Sequence, residues 1–236
     1  RSLTALSRPQ VTLVLKAWAE RVRDLKKDPR FRSIFVFKNQ GALAGAWLPD
    51  HAHSQVMGLP VTPKRLKEIL DVARQHYRAK ERCVFCDVLR EELEFGERLV
   101  RVTDRFVALA PYASRYPYEY WILPREHDAD FEASSAADFE DLADVLLGTL
   151  ARLEDILPDP AYNLFLYSSP NRDRRKSYWT TLAQDFHWHI AVMPRLAQLA
   201  GFEVGSGLYA NPVLPEDAAR MLRILPSVPP EEPPAR

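Results

Sequence analysis

The chain has 236 residues, enough for one large domain or two modest ones, and its apolar fraction of 47% is that of a globular protein. Lysine plus arginine equals aspartate plus glutamate at 32 each, so the charge balance points to no nucleic-acid partner and no membrane partner. No apolar run approaches the roughly 18 residues of a membrane span and no signal-peptide pattern is present, which gives the expectation of a soluble, cytoplasmic protein. It begins at Arg1 without a methionine and reads as part of a longer protein.

In chain order, Ser7-Arg8-Pro9 is a helix start. Val11, Val14, Leu15, Trp18, Val22 and Leu25 then recur at helical spacing and predict a helix over 8–27. Ile34–Phe37 reads as a strand, Lys38–Gly41 as the turn leaving it, and Gly41 and Gly45 as brackets of a loop where backbone can approach a ligand. His51–Gln55 reads as the start of a strand running on through Val56–Leu59, which puts His51, His53 and Gln55 on one face. A helix follows over 64–79. Beyond Cys83 and Cys86, strands are expected over 99–102, 106–110 and 118–123, then a long helix capped by Ser134 or Ser135 and carrying Phe139, Leu142, Leu146, Leu150 and Leu153. Tyr162–Tyr167 reads as a strand, 168–184 as a polar loop, Phe186–Met193 as a strand and Pro226–Arg236 as a disordered tail.

The two halves then share an order: long helix, apolar strand, polar loop, HxH strand, proline. This is an internal repeat with a period of about 135 residues, from His53 to His189. Only the second copy has a hairpin and a CxxC before its helix. The expected architecture is a duplicated α+β domain whose first copy is incomplete. Its expected units are 1–79, 80–222 and the tail 223–236.

Cys83 and Cys86 are the only two cysteines, and their spacing suits a metal clip or a redox pair rather than a secreted disulfide framework. His127 and His187 complete a closed Cys2His2 zinc set. A redox CxxC is the runner-up, set back because no helix is read as opening at Cys83, and two buried cysteines without metal are the bland alternative. His53 is the candidate for chemistry: a neutral imidazole can attack phosphorus when a neighbour fixes its tautomer. Gln55 can donate to a phosphate oxygen, Lys38 and Asn39 can add a charge and a donor, and His51 is better placed as ligand or orienter. A metal at His51 and His53 fits these parts nearly as well. Trp188 and Ile190 read as core, His76 as surface, and the basic run Arg172, Arg174, Arg175, Lys176 as a solvated loop.

These segments resemble a known family. FKNQGALAGAWLPDHAHSQVMGLP is similar to the active-site segment of galactose-1-phosphate uridylyltransferases. CVFCDVL, WILPREHDADFE, FHWHIAVMPRL and GFEVGSGLYANPVLPEDAA resemble that family's second half. The family belongs to the histidine-triad superfamily, with HxHxQ in place of HxHxH. The resemblance implies a nucleotidyltransferase acting on a nucleotide sugar and a sugar 1-phosphate, with two fused histidine-triad-like halves in a duplicated antiparallel sheet with packed helices, and a homodimer that shares sites. It implies His53 as nucleophile, Gln55 as stabiliser of the covalent intermediate and Asn39 as a contact to the nucleotide phosphates. By the same resemblance His51 is a ligand of a first-half metal, Cys83, Cys86, His127 and His187 hold a zinc, and Glu203 contacts the hexose phosphate.

The sequence departs from the family pattern at Trp47, where the family has a serine, at Ala52 in place of the proline of HPH, and at Ala197 in place of a lysine. One residue is inserted between Gly45 and His53, and the second HxH is followed by Ala191 rather than continuing to glutamine, which predicts no chemistry at His189. Two other readings stand beside the transferase. One is a nucleotide-sugar or dinucleotide phosphorylase. The other is a zinc-stabilised, catalytically silent homologue.

Overall fold

The computed structural model describes residues 2–48, 51–172 and 179–223. The predicted tail beyond Arg223 and most of the basic run, Arg174, Arg175 and Lys176, lie outside these residues. Helix α1 (Arg8–Leu25) opens on a Ser7–Gln10 capping box with Pro9 in its first turn, and buries Val11, Leu15, Trp18 and Val22 along one stripe. Strand β1 (Ser33–Gln40) runs longer than expected. Lys38 and Asn39 belong to its ladder and not to a turn, because they pair with Leu164 and Asn163. Strand β2 (Gln55–Leu59) begins later than expected, so His51 and His53 precede the ladder.

Helix α2 (Lys64–Lys80) then leads into α3 (Val84–Phe95), with Cys83 at its N-cap. This corrects the reading that no helix opens at Cys83. The stretch VFCDVLREELEF holds Phe85, Leu89 and Glu92 on one buried stripe, a helical period hidden by its acidic residues. Strands β3 (Leu99–Val102), β4 (Phe106–Leu109) and β5 (Tyr120–Pro124) form a meander. Helix α4 (Ala136–Ile156) carries a Ser135–Asp138 capping box. Strand β6 (Tyr162–Tyr167), a one-turn helix α5 (Leu182–Asp185) within the expected loop, and strand β7 (His189–Pro194) follow. Two short helices, α6 (Gly201–Ser206) and α7 (Pro215–Leu222), close the described chain.

The strands form one seven-stranded sheet in the order β2-β1-β6-β7-β5-β4-β3, antiparallel at every pairing. The fold is therefore α+β, and the repeat is visible in its register. Phe37 faces Gln55 on β2, and Phe165 faces Ala191 on β7. Phe37 and Phe165 also face each other, with Val36 opposite Leu166 and Lys38 opposite Leu164. A local two-fold axis thus passes through the Phe37–Phe165 pair. It relates His53 to His189, His51 to His187 and Lys38 to Leu166.

Strand alternation divides the side chains between two faces. Lys38, Leu164, Val192 and Tyr120 form one row across the sheet, on the face covered by α1 and α4. Phe35, Phe37, Phe165, Tyr167, His189 and Trp121 point to the other face. Over β7 and β5 that second face is sealed by Phe85 of α3, whose ring lies 5.3 Å from that of His189. Over β1 and β6 the rings of Phe35 and Phe165 stack at 5.8 Å and stay half-buried. The core includes Trp188 and Ile190, both with no exposed surface, as their alternation predicted. Burying side chains of this size contributes roughly 1.5–3 kcal/mol each.

Candidate functional site

His53 is presented by the segment entering β2. Its Nδ1 lies 2.8 Å from the carbonyl oxygen of His51. A carbonyl only accepts, so Nδ1 carries the proton and the neutral ring keeps its lone pair on Nε2. Gln55, two residues on, stands opposite Phe37 at the half-open part of the sheet. The ring of His51 is 6.5 Å from that of His53.

The loop before the histidines is held from β1 and β6. Asn39 donates to the Gly45 carbonyl at 3.4 Å, while its oxygen accepts from Asn163 at 2.9 Å, and Asn163 also donates to the Ala44 carbonyl at 2.9 Å. Asn39, expected at the nucleotide phosphates, thus has its amide engaged with the loop. Asn163 was not singled out from the sequence; the available signal was a lone amide in an otherwise apolar strand. Gly41 is required by packing against protein rather than ligand: its φ is +79°, and a Cβ there would sit 2.8 Å from that of Ala161. Trp47, at the departure from the family serine, is 89% exposed.

Lys38 is 2% exposed, and its ammonium donates to the His53 carbonyl at 3.4 Å. Burial lowers its pKa from the ordinary lysine value. It lies on the α1 side of the sheet, away from the face of Gln55, which removes it from the surface where a phosphate would contact the Gln55 amide. Glu203 caps the start of α6, accepting from the Ala200 N–H at 3.1 Å. Among the described residues no hydrogen bond or ion pair joins it to His53 or Gln55.

Cys83, Cys86, His127 and His187 form a second group, their ligand atoms all within 4.8 Å of one another. Cys86 Sγ is 3.3 Å from Nδ1 of His127 and 3.7 Å from Nδ1 of His187. The outer nitrogens are committed elsewhere: Nε2 of His127 donates to the Ala183 carbonyl, and Nε2 of His187 to that of Pro124, each at 2.9 Å. Both rings therefore aim Nδ1 inward, the arrangement that outer hydrogen bonds give to metal-ligating histidines. A tetrahedral ion with zinc's bond lengths sets sulfur and nitrogen about 3.5 Å apart, between the two measured distances. The group fits a metal ion. The hydrogen bond between the thiols raises the Cys83 pKa and lowers that of Cys86, and the bond to Cys83 raises that of His127. His51, the two-fold counterpart of His187, joins no comparable group of three or more among the described residues.

His76 was read as surface. It is part-buried, with Nε2 2.9 Å from Asp87 Oδ2, and so ties α2 to the first turn of α3. With Arg82 donating first, and His76 and Arg90 adding to it, the Asp87 pKa is pushed down to about 2.

Fold and site together define a class: a duplicated α+β sheet carrying one half-buried and one buried copy of a histidine motif, with a Cys2His2 group on the buried copy. Residues 70–232 match the family model of the galactose-1-phosphate uridyl transferase C-terminal domain, and residues 1–63 match that of the N-terminal domain. The chain is 34% identical to the ADP-glucose phosphorylase of Arabidopsis thaliana over 89% of its own length and 57% of that protein's. It is 32% identical to the galactose-1-phosphate uridylyltransferase of Thermotoga maritima, over 94% and 69%. The crystal structure of the Arabidopsis phosphorylase with bound ADP-glucose superposes with a TM-score of 0.86 at 30% identity, covering 96% of this chain and 70% of that one. The chain belongs to the galactose-1-phosphate uridylyltransferase family.

Proposed function

We propose that the protein is a nucleotidyltransferase that moves a nucleoside monophosphate between a nucleotide sugar and a second phosphate-bearing acceptor through His53. The observation that carries this reading is the 2.8 Å bond from His53 Nδ1 to the His51 carbonyl, which leaves Nε2 free as a nucleophile. In the first step Nε2 attacks the α-phosphorus, a P–N bond forms, and the P–O bond to the leaving sugar 1-phosphate breaks with the bonding pair staying on oxygen. In the second step an acceptor phosphate oxygen attacks the same phosphorus and the P–N bond breaks. Gln55 donates its amide hydrogen to a non-bridging oxygen, where charge builds in both transition states. The Cys83, Cys86, His127 and His187 group holds a zinc ion that pins the start of α3 to the end of β5 and the entry of β7. His51 would be one ligand at the corresponding first-half position, a set that the described residues do not complete.

Two acceptors are in view. A sugar 1-phosphate follows from the Thermotoga relative, and inorganic phosphate is favoured by the 34% identity to an ADP-glucose phosphorylase. Incubation with radiolabelled UDP-glucose and, separately, ADP-glucose tests the chemistry. Wild type is expected to carry acid-labile label and His53→Ala none. Discharge by inorganic phosphate or by galactose 1-phosphate then selects the acceptor. Absence of label from either nucleotide sugar leaves the silent homologue as the better account.

A further inference from the structure

The two copies of the motif are held to the sheet in different ways. In the second half the ladder continues past Phe165–Ala191 through Leu166–Ile190 to Tyr167–His189. In the first half the corresponding ladder stops at Phe37–Gln55, two residues short of His53. The backbone carrying His53 therefore lacks the strand pairing that fixes His189. At the position where the second half has Leu166, 2% exposed, the first half has Lys38, equally buried, and its ammonium reaches the His53 carbonyl from beneath the sheet. Among the described residues, that carbonyl is the hydrogen-bond partner of Lys38. A buried ammonium is costly unless its donors are used. A leucine at the same place in the second half shows that the fold needs only apolar volume there.

We infer that Lys38 is a positioning residue for the nucleophile: it takes over the missing ladder by holding the His53 carbonyl, and so fixes the backbone from which the His53 ring is aimed. The inference rests on the nucleotidyl-transfer reading of His53 for its catalytic consequence, but its structural half is separable. Lys38 acts from the α1 side of the sheet and touches no substrate.

The test compares wild type with Lys38→Met, which keeps the stem and removes the donor, and Lys38→Arg, which keeps a donor. Nitrogen-15 NMR of labelled histidine reads the His53 tautomer without any nucleotide. Wild type and Lys38→Arg are expected to show one Nδ1–H form, and Lys38→Met a mixture of both, with faster amide exchange at Ser54 and Gln55. Covalent labelling of Lys38→Met is expected to fall about a hundredfold in rate with the apparent nucleotide affinity within about twofold, the pattern of a misaimed nucleophile. An unchanged tautomer and unchanged exchange in a folded Lys38→Met overturn the inference. If wild type takes no label, the transfer reading fails while the tautomer still decides the role of Lys38. Should Lys38→Met not fold, the wild-type Lys38 ammonium is read by NMR directly: slow hydrogen exchange supports the bond, and a fast-exchanging, mobile ammonium overturns it.

Discussion

His53 and His189 occupy two-fold related positions and make the same local bond, Nδ1 to the carbonyl two residues back, at 2.8 Å and 3.2 Å. What differs is the cover. His189 is 1% exposed and sits among the rings of Tyr167, Trp121 and Phe85 at 4.9, 5.1 and 5.3 Å. Burial there drives its pKa down to about 3, so the ring is neutral and works as an aromatic filler. Among the described residues, the ring near His53 is that of His51 at 6.5 Å, and His53 stays half-buried. Two copies of one histidine motif thus differ less in their own residues than in what packs against them.

That contrast can be broken from several directions. The largest effect is expected at the proposed nucleophile: His53→Ala should lower covalent labelling at least about 10⁴-fold, while His189→Ala leaves labelling at the wild-type level. Comparable loss in both variants would make the asymmetry between the halves false. Next comes the metal group. Cys83→Ser should reduce the zinc content of the purified protein from one ion to less than a tenth, and lower stability in urea by about 3–5 kcal/mol. Full stability without bound metal would leave the thiols as simple core residues.

The filler role of His189 makes a smaller, two-part prediction. His189→Ala should cost about 2–4 kcal/mol because it opens a cavity among rings, whereas His189→Phe should cost under about 1.5 kcal/mol because volume and aromatic contact are kept. Urea titrations that rank the two in reverse order would show that polarity, not volume, matters in the box. The smallest effect is expected at the last motif position. Gln55→Ala should slow labelling about tenfold to a hundredfold, and Ala191→Gln should confer no label on a His53→Ala background. Mass spectrometry of the nucleotide-treated double variant checks the second point.

The long helices and the repeat were legible because each has a period or an order that a sequence displays, and the antiparallel sheet was legible through the family resemblance. The four residues of the Cys2His2 group were likewise legible, since few side chains of that chemistry exist in the chain. What was not legible depends on pairing between distant strands. Lys38 and Asn39 read as a turn because KNQG is polar and ends in glycine, yet β6 supplies ladder partners for both. The same polar bias hid α3 behind its glutamates. Nor does anything in HAHSQ reveal that all of it but Gln55 falls before the ladder, or in FKN that the lysine faces inward.

The pair at the two-fold axis carries a consequence for register. Side chains in a strand alternate, so a slip of one residue between β1 and β6 would turn all of β1, and β2 with it, to the opposite face. Lys38 would then emerge on the open face and the Gln55 amide would be driven under α1. The stacked rings of Phe35 and Phe165, with Phe37 against Phe165 at the axis, make such a slip expensive, since it would set aromatic groups against the aliphatic layer of the other side. The seam between the two copies therefore works as an alignment key: it decides on which face of the first half the Gln55 side chain emerges.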